Sequence, residues 1–196
     1  MSSVIRSVRA RDTKPPTVTL TVASGEETAK YTITEGTYRG IGCPLSGEEI
    51  DEDFFLILSI EDEKRRALAK SLNVLSYADN NKRALTGKLL RAGFSREAIE
   101  YAVTECVMRG YIDEARQAER LIMKHYAELL GPYKIKAKLQ ARQFSPALIS
   151  KALCTLEEQG EIDFKENRAR LLREKLGADA SYDEKMKLLY KYGYLR

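Results

Sequence analysis

The sequence holds one histidine, His125, and three cysteines, Cys43, Cys106 and Cys154, widely separated and odd in number. That supply argues against a disulfide framework and leaves no Cys/His cluster at metal-ligand spacing. Reduced thiols in a cytoplasmic protein are the expectation. No apolar run is long enough to span a membrane. Met1 to Lys14 carries charge without a hydrophobic stretch, so no signal peptide is expected. No glycine-rich loop leads into a Lys-Ser/Thr pair, and Gly40-Ile41-Gly42 lacks the third glycine and the long helix of a dinucleotide fingerprint, so it reads as a turn. The acidic runs Glu48–Asp53 and Glu61-Asp62-Glu63 stand near helix starts, where they oppose the helix dipole. A lone helical histidine is a packing or surface residue before it is a base. No catalytic residue, metal or cofactor is expected, and the chain reads as non-enzymatic.

What the sequence does contain is a repeat. Phe144-Ser145 follows Phe94-Ser95 by 50 positions, and Gly160-Glu161-Ile162-Asp163 follows Gly110-Tyr111-Ile112-Asp113 by the same 50. A fixed offset between two landmarks marks a duplicated structural unit. Apolar positions agree with it: Leu85, Leu89, Ile99, Ala102, Val103 and Cys106 align with Ile135, Leu139, Ile149, Ala152, Leu153 and Leu156. Ile99, Ala102, Val103 and Cys106 form one helical stripe. Ser95 and Ser145 sit where N-caps belong, with Pro146 at a first helical position. Gly110 and Gly160 suit a left-handed helix end, and Asp113 and Asp163 cap the next helix. Asp163 with Glu166, and Ser181 with Glu184, have capping-box spacing. A third copy begins, with Leu189 and Tyr194 each 50 beyond Leu139 and Phe144, and stops before a third Ser-capped helix.

The expected fold is therefore mainly α: tandem three-helix repeats forming an elongated curved array, preceded by a small antiparallel β segment. Residues 1–45 are the β-rich segment of about three strands, with a hairpin turn at Ser24-Gly25-Glu26-Glu27. Residues 46–60 form an acidic connecting helix opened by Ser46 and Glu49, with Phe54, Phe55, Ile57 and Leu58 as core contacts. Residues 61–112 are the first repeat, 113–162 the second, and 163–196 the truncated third. Three helices are too few to hide an apolar face, so neighbours must stack.

Charge is divided unevenly. Residues 1–60 hold six Lys or Arg against nine Asp or Glu, and the remainder 27 against 20, giving −3 and +7. The basic part is the repeated helical part, which points to a polyanion or an acidic protein groove. The second helix of each unit carries most of it: Lys82, Arg83, Lys88 and Arg91; Lys134, Lys136, Lys138 and Arg142; Lys185, Lys187 and Lys191. Lys134, Lys138 and Arg142 step by four along one face. Arg168, Arg170, Arg173 and Lys175 add charge in the last unit. Tyr182, Tyr190, Tyr192 and Tyr194 offer either aromatic surface or interhelical packing. The candidate partner-binding residues are Lys88, Arg91, Lys134, Lys136, Lys138, Arg142, Arg168, Arg170 and Arg173.

The runs Asn73-Val74-Leu75-Ser76-Tyr77, Leu89-Leu90-Arg91-Ala92-Gly93-Phe94-Ser95 and Gly110-Tyr111-Ile112-Asp113-Glu114 resemble the RecX regulatory proteins of bacteria. The resemblance covers roughly Ser46 to Arg196 and is most specific over Leu75–Ala118. This chain departs from the family pattern at Gln117, where an aromatic is usual, at Gln143, where glycine is usual, and in its missing last helix. The resemblance implies a non-enzymatic modulator, acting as a monomer, that binds within the groove of the RecA filament on DNA. It implies limits on filament growth, strand exchange, ATP hydrolysis and assisted repressor cleavage. The competing reading is a protein that binds single- or double-stranded DNA through its basic helices without RecA.

Overall fold

A computed structural model describes residues 3–177 and 179–196. Among them the elements run β1 (Ser3–Arg11), β2 (Thr17–Ser24), β3 (Glu27–Thr34), α1 (Glu35–Gly40), β4 (Glu49–Ile50), α2 (Glu52–Tyr77), α3 (Lys82–Arg91), α4 (Arg96–Met108), α5 (Glu114–Ala127), α6 (Pro132–Ala141), α7 (Pro146–Glu158), α8 (Phe164–Lys175) and α9 (Tyr182–Tyr192). The chain is mainly helical, with an antiparallel sheet ordered β3-β2-β1-β4 at its start, as the sequence leads one to expect. It divides into two compact units: residues up to Ala78 with Leu85–Tyr111, and Asp79–Ala84 with Ile112–Arg196.

In the first unit β2 and β3 pair from Thr17↔Thr34 to Ser24↔Glu27. Gly25, at φ 61°, supplies the positive dihedral that a two-residue hairpin turn needs. Val18, Leu20, Val22 and Ile33 turn one sheet face into a core with Ile5, Ile50 and Leu58. Strand β3 lies at the sheet edge, and α2 satisfies part of it. Asp62 Oδ1 accepts the Thr32 N–H at 2.9 Å, and Arg65 Nε donates to the Thr32 carbonyl at 2.8 Å. The buried Asp62 carboxylate also accepts from Arg65 and Arg66, so its charge is compensated where water is scarce.

Several expectations need correction here. The acidic connecting helix of 46–60 and the helix expected from Glu61 are one 26-residue helix, α2, so the boundary at 60/61 falls inside it. Ser46 caps nothing; its hydroxyl donates to the Arg6 carbonyl, and Glu49 joins the short strand β4. The cap is Asp51, which accepts the Phe54 N–H at 2.8 Å. The sheet thereby gains a fourth strand, and the β-like stretch before Cys43 contains the short helix α1, capped by Thr34. Phe54, Phe55 and Leu58 contact the sheet core as expected, whereas Ile57 is exposed.

The repeat is visible as geometry. Gly93, Gln143 and Gly193, spaced 50 apart, all take left-handed backbone, with φ of 84°, 67° and 81°. The following N–H returns to a leucine carbonyl each time: Phe94 to Leu89 at 3.3 Å, Phe144 to Leu139 at 3.2 Å, Tyr194 to Leu189 at 2.9 Å. All three leucines are buried. This is the helix ending in which a left-handed residue lets the chain satisfy carbonyls left over by the last turn. Gly110 and Gly160 close α4 and α7 in the same way, at φ 73° and 72°. Ser95, Ser145, Asp113 and Asp163 accept first-turn N–H groups of α4, α7, α5 and α8. Ser181 and Glu184 form a reciprocal capping box on α9.

Gln143 holds its left-handed conformation with a Cβ, at a position where its two counterparts are glycine. Gln143→Gly is expected to stabilise the fold by about 0.5–1 kcal/mol, net of the greater unfolded-chain freedom of glycine, measured by urea unfolding.

Glu63 on α2 adds a second layer to the Ser95 cap, accepting the Ser95 hydroxyl at 2.7 Å and its N–H at 2.8 Å. These bonds, the hydroxyl first, hold the Glu63 carboxyl below its ordinary value of 4.5. A depressed folded value means that the contribution is fully present above the unfolded carboxyl's range and fades as pH falls through the folded value. Glu63→Gln should cost about 1 kcal/mol at neutral pH, and the gap from wild type should narrow in melts run below pH ~4.

Candidate functional site

The cationic face expected from the sequence is built on α6. Ile135 and Leu139 are fully buried, which fixes the rotation of the helix and leaves Lys134, Lys138 and Arg142 along an exposed line. Lys136 is half-buried and off that line. Lys138 and Arg142 form no ion pair among the described residues. Lys134 is engaged structurally, its Nζ donating to the Lys191 carbonyl at 2.8 Å.

That bond belongs to a joint between helix ends. The α9 C-terminus meets the α6 N-terminus, with Gly131 N–H donating to the Tyr192 carbonyl at 2.8 Å and Tyr133 N–H to the Gly193 carbonyl at 3.1 Å. A Cβ on Gly131 would land on the Gly193 carbonyl, so only glycine permits this approach. The Arg196 guanidinium lies 5.7 Å from the centre of the Tyr133 ring. The same joint occurs one repeat earlier, again at an offset of 50. Asn81 Nδ2 donates to the Arg142 carbonyl at 2.7 Å, while Asn81 Oδ1 accepts the Ala84 N–H at 2.8 Å. Positive helix starts thus face negative helix ends. Sequence reasoning missed Asn81, Gly131 and Gly193. The signal was available, since 81 and 131, and likewise 142 and 192, keep the repeat offset.

Leu129 is a second tie. It takes φ 62°, rare for leucine, and its buried side chain joins Leu171 and Leu189 in one cluster. Side-chain burial offsets the backbone cost.

The remaining candidates divide. Lys88 and Arg91 are exposed on the last turn of α3, in the first unit. Arg168, Arg170 and Arg173 are exposed on α8, and Arg170 pairs with Glu174 at 2.6 Å. Arg168 and Lys175 occupy the positions that Ala118 and His125 hold, buried, on α5. On α5 that side packs against α7; on α8 it meets solvent, so the charge there is what an uncovered helix face requires. Among the tyrosines, Tyr182 and Tyr190 are exposed. Tyr192 and Tyr194 pack into the α8–α9 cluster, and burial pushes the Tyr194 hydroxyl up to about 12.

The chemistry elsewhere is structural. His125 is buried, with Nδ1 2.9 Å from a Glu128 oxygen at the end of α5. That bond holds the Glu128 carboxyl below its ordinary value. Burial raises the Cys106 thiol, and the Cys154 thiol is raised by donating to Glu158 at 3.1 Å. Among the described residues, no group of three or more His, Cys, Asp or Glu is placed to hold a metal ion, and no helix is long and apolar enough to cross a membrane.

Fold and face together define a tandem three-helix repeat protein with a cationic surface on its second helices. No protein-family model matches the chain. Regulatory protein RecX of Stenotrophomonas maltophilia is 29% identical over 114 residues, 58% of this chain and 68% of the relative. Regulatory protein RecX of Vibrio vulnificus is 29% identical over 82 residues, 42% of this chain and 54% of the relative. A crystal structure of regulatory protein RecX superposes with a TM-score of 0.68 at 17% identity, covering 98% of this chain and 95% of that one, which shows the shared fold. The chain is thus similar to regulatory proteins named RecX in sequence over part of its length, and to a RecX crystal structure in fold.

Gly131→Ala tests the joint. It should destabilise the protein by about 2–4 kcal/mol, since the clash is with backbone and two hydrogen bonds are lost. In hydrogen exchange, protection should fall in α9 and at Tyr133 while α2 and α4 keep theirs.

Proposed function

We propose that this chain regulates the RecA recombinase by lodging against the RecA–DNA filament, limiting strand exchange, ATP hydrolysis and coprotease activity without chemistry of its own. The observation that carries the reading is the α6 face. Lys138 and Arg142 are exposed and without ion pairs among the described residues, on a helix held at both ends by the Arg142 and Gly131 joints. The helix that carries them is held in place, so docking against an acidic groove need not order its backbone. RecA as the partner is what the resemblance of the Gly-Phe-Ser and Gly-Tyr-Ile-Asp motifs to the RecX proteins implies; the motifs themselves lie at the helix ends that set the repeat. The protein would act as a monomer in the cytoplasm, by steric and electrostatic means.

The exposed Lys88, Arg91 and Arg173 favour a second reading, binding of DNA through the basic helices without RecA. Steeply salt-dependent binding to bare DNA, unaffected by RecA, would support it over the first.

RecA-driven ATP hydrolysis on single-stranded DNA, titrated with this protein, is the direct assay. Lys138→Glu/Arg142→Glu should raise the half-inhibitory concentration about tenfold or more, with helical content unchanged by circular dichroism. Lys134 is left intact because its loss would also open the α6–α9 joint. Unaltered inhibition by the double variant removes the α6 face from the contact.

A further inference from the structure

The outer face of the sheet carries three exposed cations, Arg9, Arg11 and Lys30, among Ser and Thr side chains; Thr19 is buried, and Asp62, at the Thr32 edge, is already paired with Arg65 and Arg66. Strand pairing sets Ser7, Thr21 and Lys30 in one cross-strand row, Arg9, Thr19 and Thr32 in the next, and Arg11, Thr17 and Thr34 in a third. The register shift between Ile5 and Ser7 creates this arrangement. With Arg6 as the extra residue, Ile5 and Val8 both turn to the core, and Ser7, Arg9 and Arg11 share the opposite side. Hydroxyls link the rows: Ser7 Oγ donates to Thr21 Oγ1 at 3.1 Å, and the Thr19 and Thr32 hydroxyls lie 3.1 Å apart.

None of the three rows contains a carboxylate. Arg9, Arg11 and Lys30 are exposed and form no ion pair among the described residues. This happens in a segment that is acidic overall. Residues 1–60 hold six Lys or Arg and nine Asp or Glu, yet half of the cations lie in these rows. Seven of the nine acids lie apart from the rows, Glu26 and Glu27 at the hairpin end and five between Glu48 and Asp53 leading into α2, while Asp12 follows Arg11 and Glu35, paired with Arg39, follows Thr34. Most of the acidic charge of this segment is thereby kept off the rows.

We propose that this face binds duplex DNA through its phosphodiester backbone, without reading sequence. Arg, Lys, Ser and Thr are the side chains that contact phosphate oxygens, and alternate residues present them every ~6.8 Å along a strand. The three rows have no aromatic, so they lack the stacking platform that retains a single strand. They also lack the apolar anchors around which a protein interface is desolvated. The site shares no residue with the α6 face and does not depend on RecA.

The experiment uses the full chain and a short, labelled, mixed-sequence duplex, followed by fluorescence anisotropy across a salt series. Wild type should bind at low salt with a linear dependence of log affinity on log salt. Arg9→Gln/Arg11→Gln/Lys30→Gln should weaken duplex binding about tenfold or more at low salt and reduce the slope by about 2–3, near 0.9 for each cation lost. Arg9→Gln alone should reduce the slope by about 0.9, which keeps the test open if the triple variant melts early. An unchanged slope in both variants overturns the proposal. So does a slope lost in Lys138→Gln/Arg142→Gln but kept in the sheet variants, tighter binding of a single strand than of the duplex, or no duplex binding at low salt.

Discussion

Backbone groups left over at helix ends govern the second unit. Every α-helix leaves donors at its start and acceptors at its finish, and burying them unpaired is costly. Here the acceptors of one helix are given to the donors of another. The carbonyls of Lys191, Tyr192 and Gly193 receive Lys134 Nζ and the N–H groups of Gly131 and Tyr133. The Arg142 carbonyl receives Asn81. Two buried amides 50 apart also donate to backbone carbonyls, though not to equivalent ones: Gln117 to that of Asn80 at 3.4 Å and Asn167 to that of Tyr126 at 3.1 Å. Apolar clusters fill the space between helices, but these directional bonds decide which helix end meets which.

The first unit meets the same demand by other means. Helix α2 serves two partners along its length. Its early turns bury Leu58 against the sheet and, through Asp62 and Arg65, satisfy the edge of β3. Its later turns bury Ala67 and Ser71 and pack along α4, whose start receives Glu63. One rigid helix therefore ties the sheet to the first repeat.

Much of the fold was legible because helix ends use few residue types. Serine, aspartate and glycine named the N-caps of α4, α5, α7, α8 and α9 and the left-handed residues that end α4 and α7. The failures have physical reasons. Gln143 and Leu129 take a conformation that neither residue advertises, one held by the repeat and the other by burial of its side chain. The continuity of α2 across 60 and 61 was invisible because acidic residues mark helix starts and also tolerate helix interiors, and Asp62 owes its place to Thr32, 30 residues away. Lys134, Lys138 and Arg142 do share one exposed line on α6, but charge alone does not distinguish an unpaired lysine from Lys134, which is committed to a carbonyl. Nor does it separate Arg168, which solvates an uncovered helix face, from Arg142, which flanks a joint.

The close approach of Gly131 to Gly193 has a consequence for how such a chain can change length. A single residue inserted within α6 or α9 turns everything beyond it by about 100° and shifts it about 1.5 Å along the axis, so the two glycines no longer meet. Insertions are tolerable only in surface turns that lie outside the interlocked segment. Growth by copying a whole cassette, by contrast, preserves every meeting point, because each new copy brings its own donor pair and its own acceptor pair. A lineage built this way would vary in the number of its modules far more readily than in their individual size.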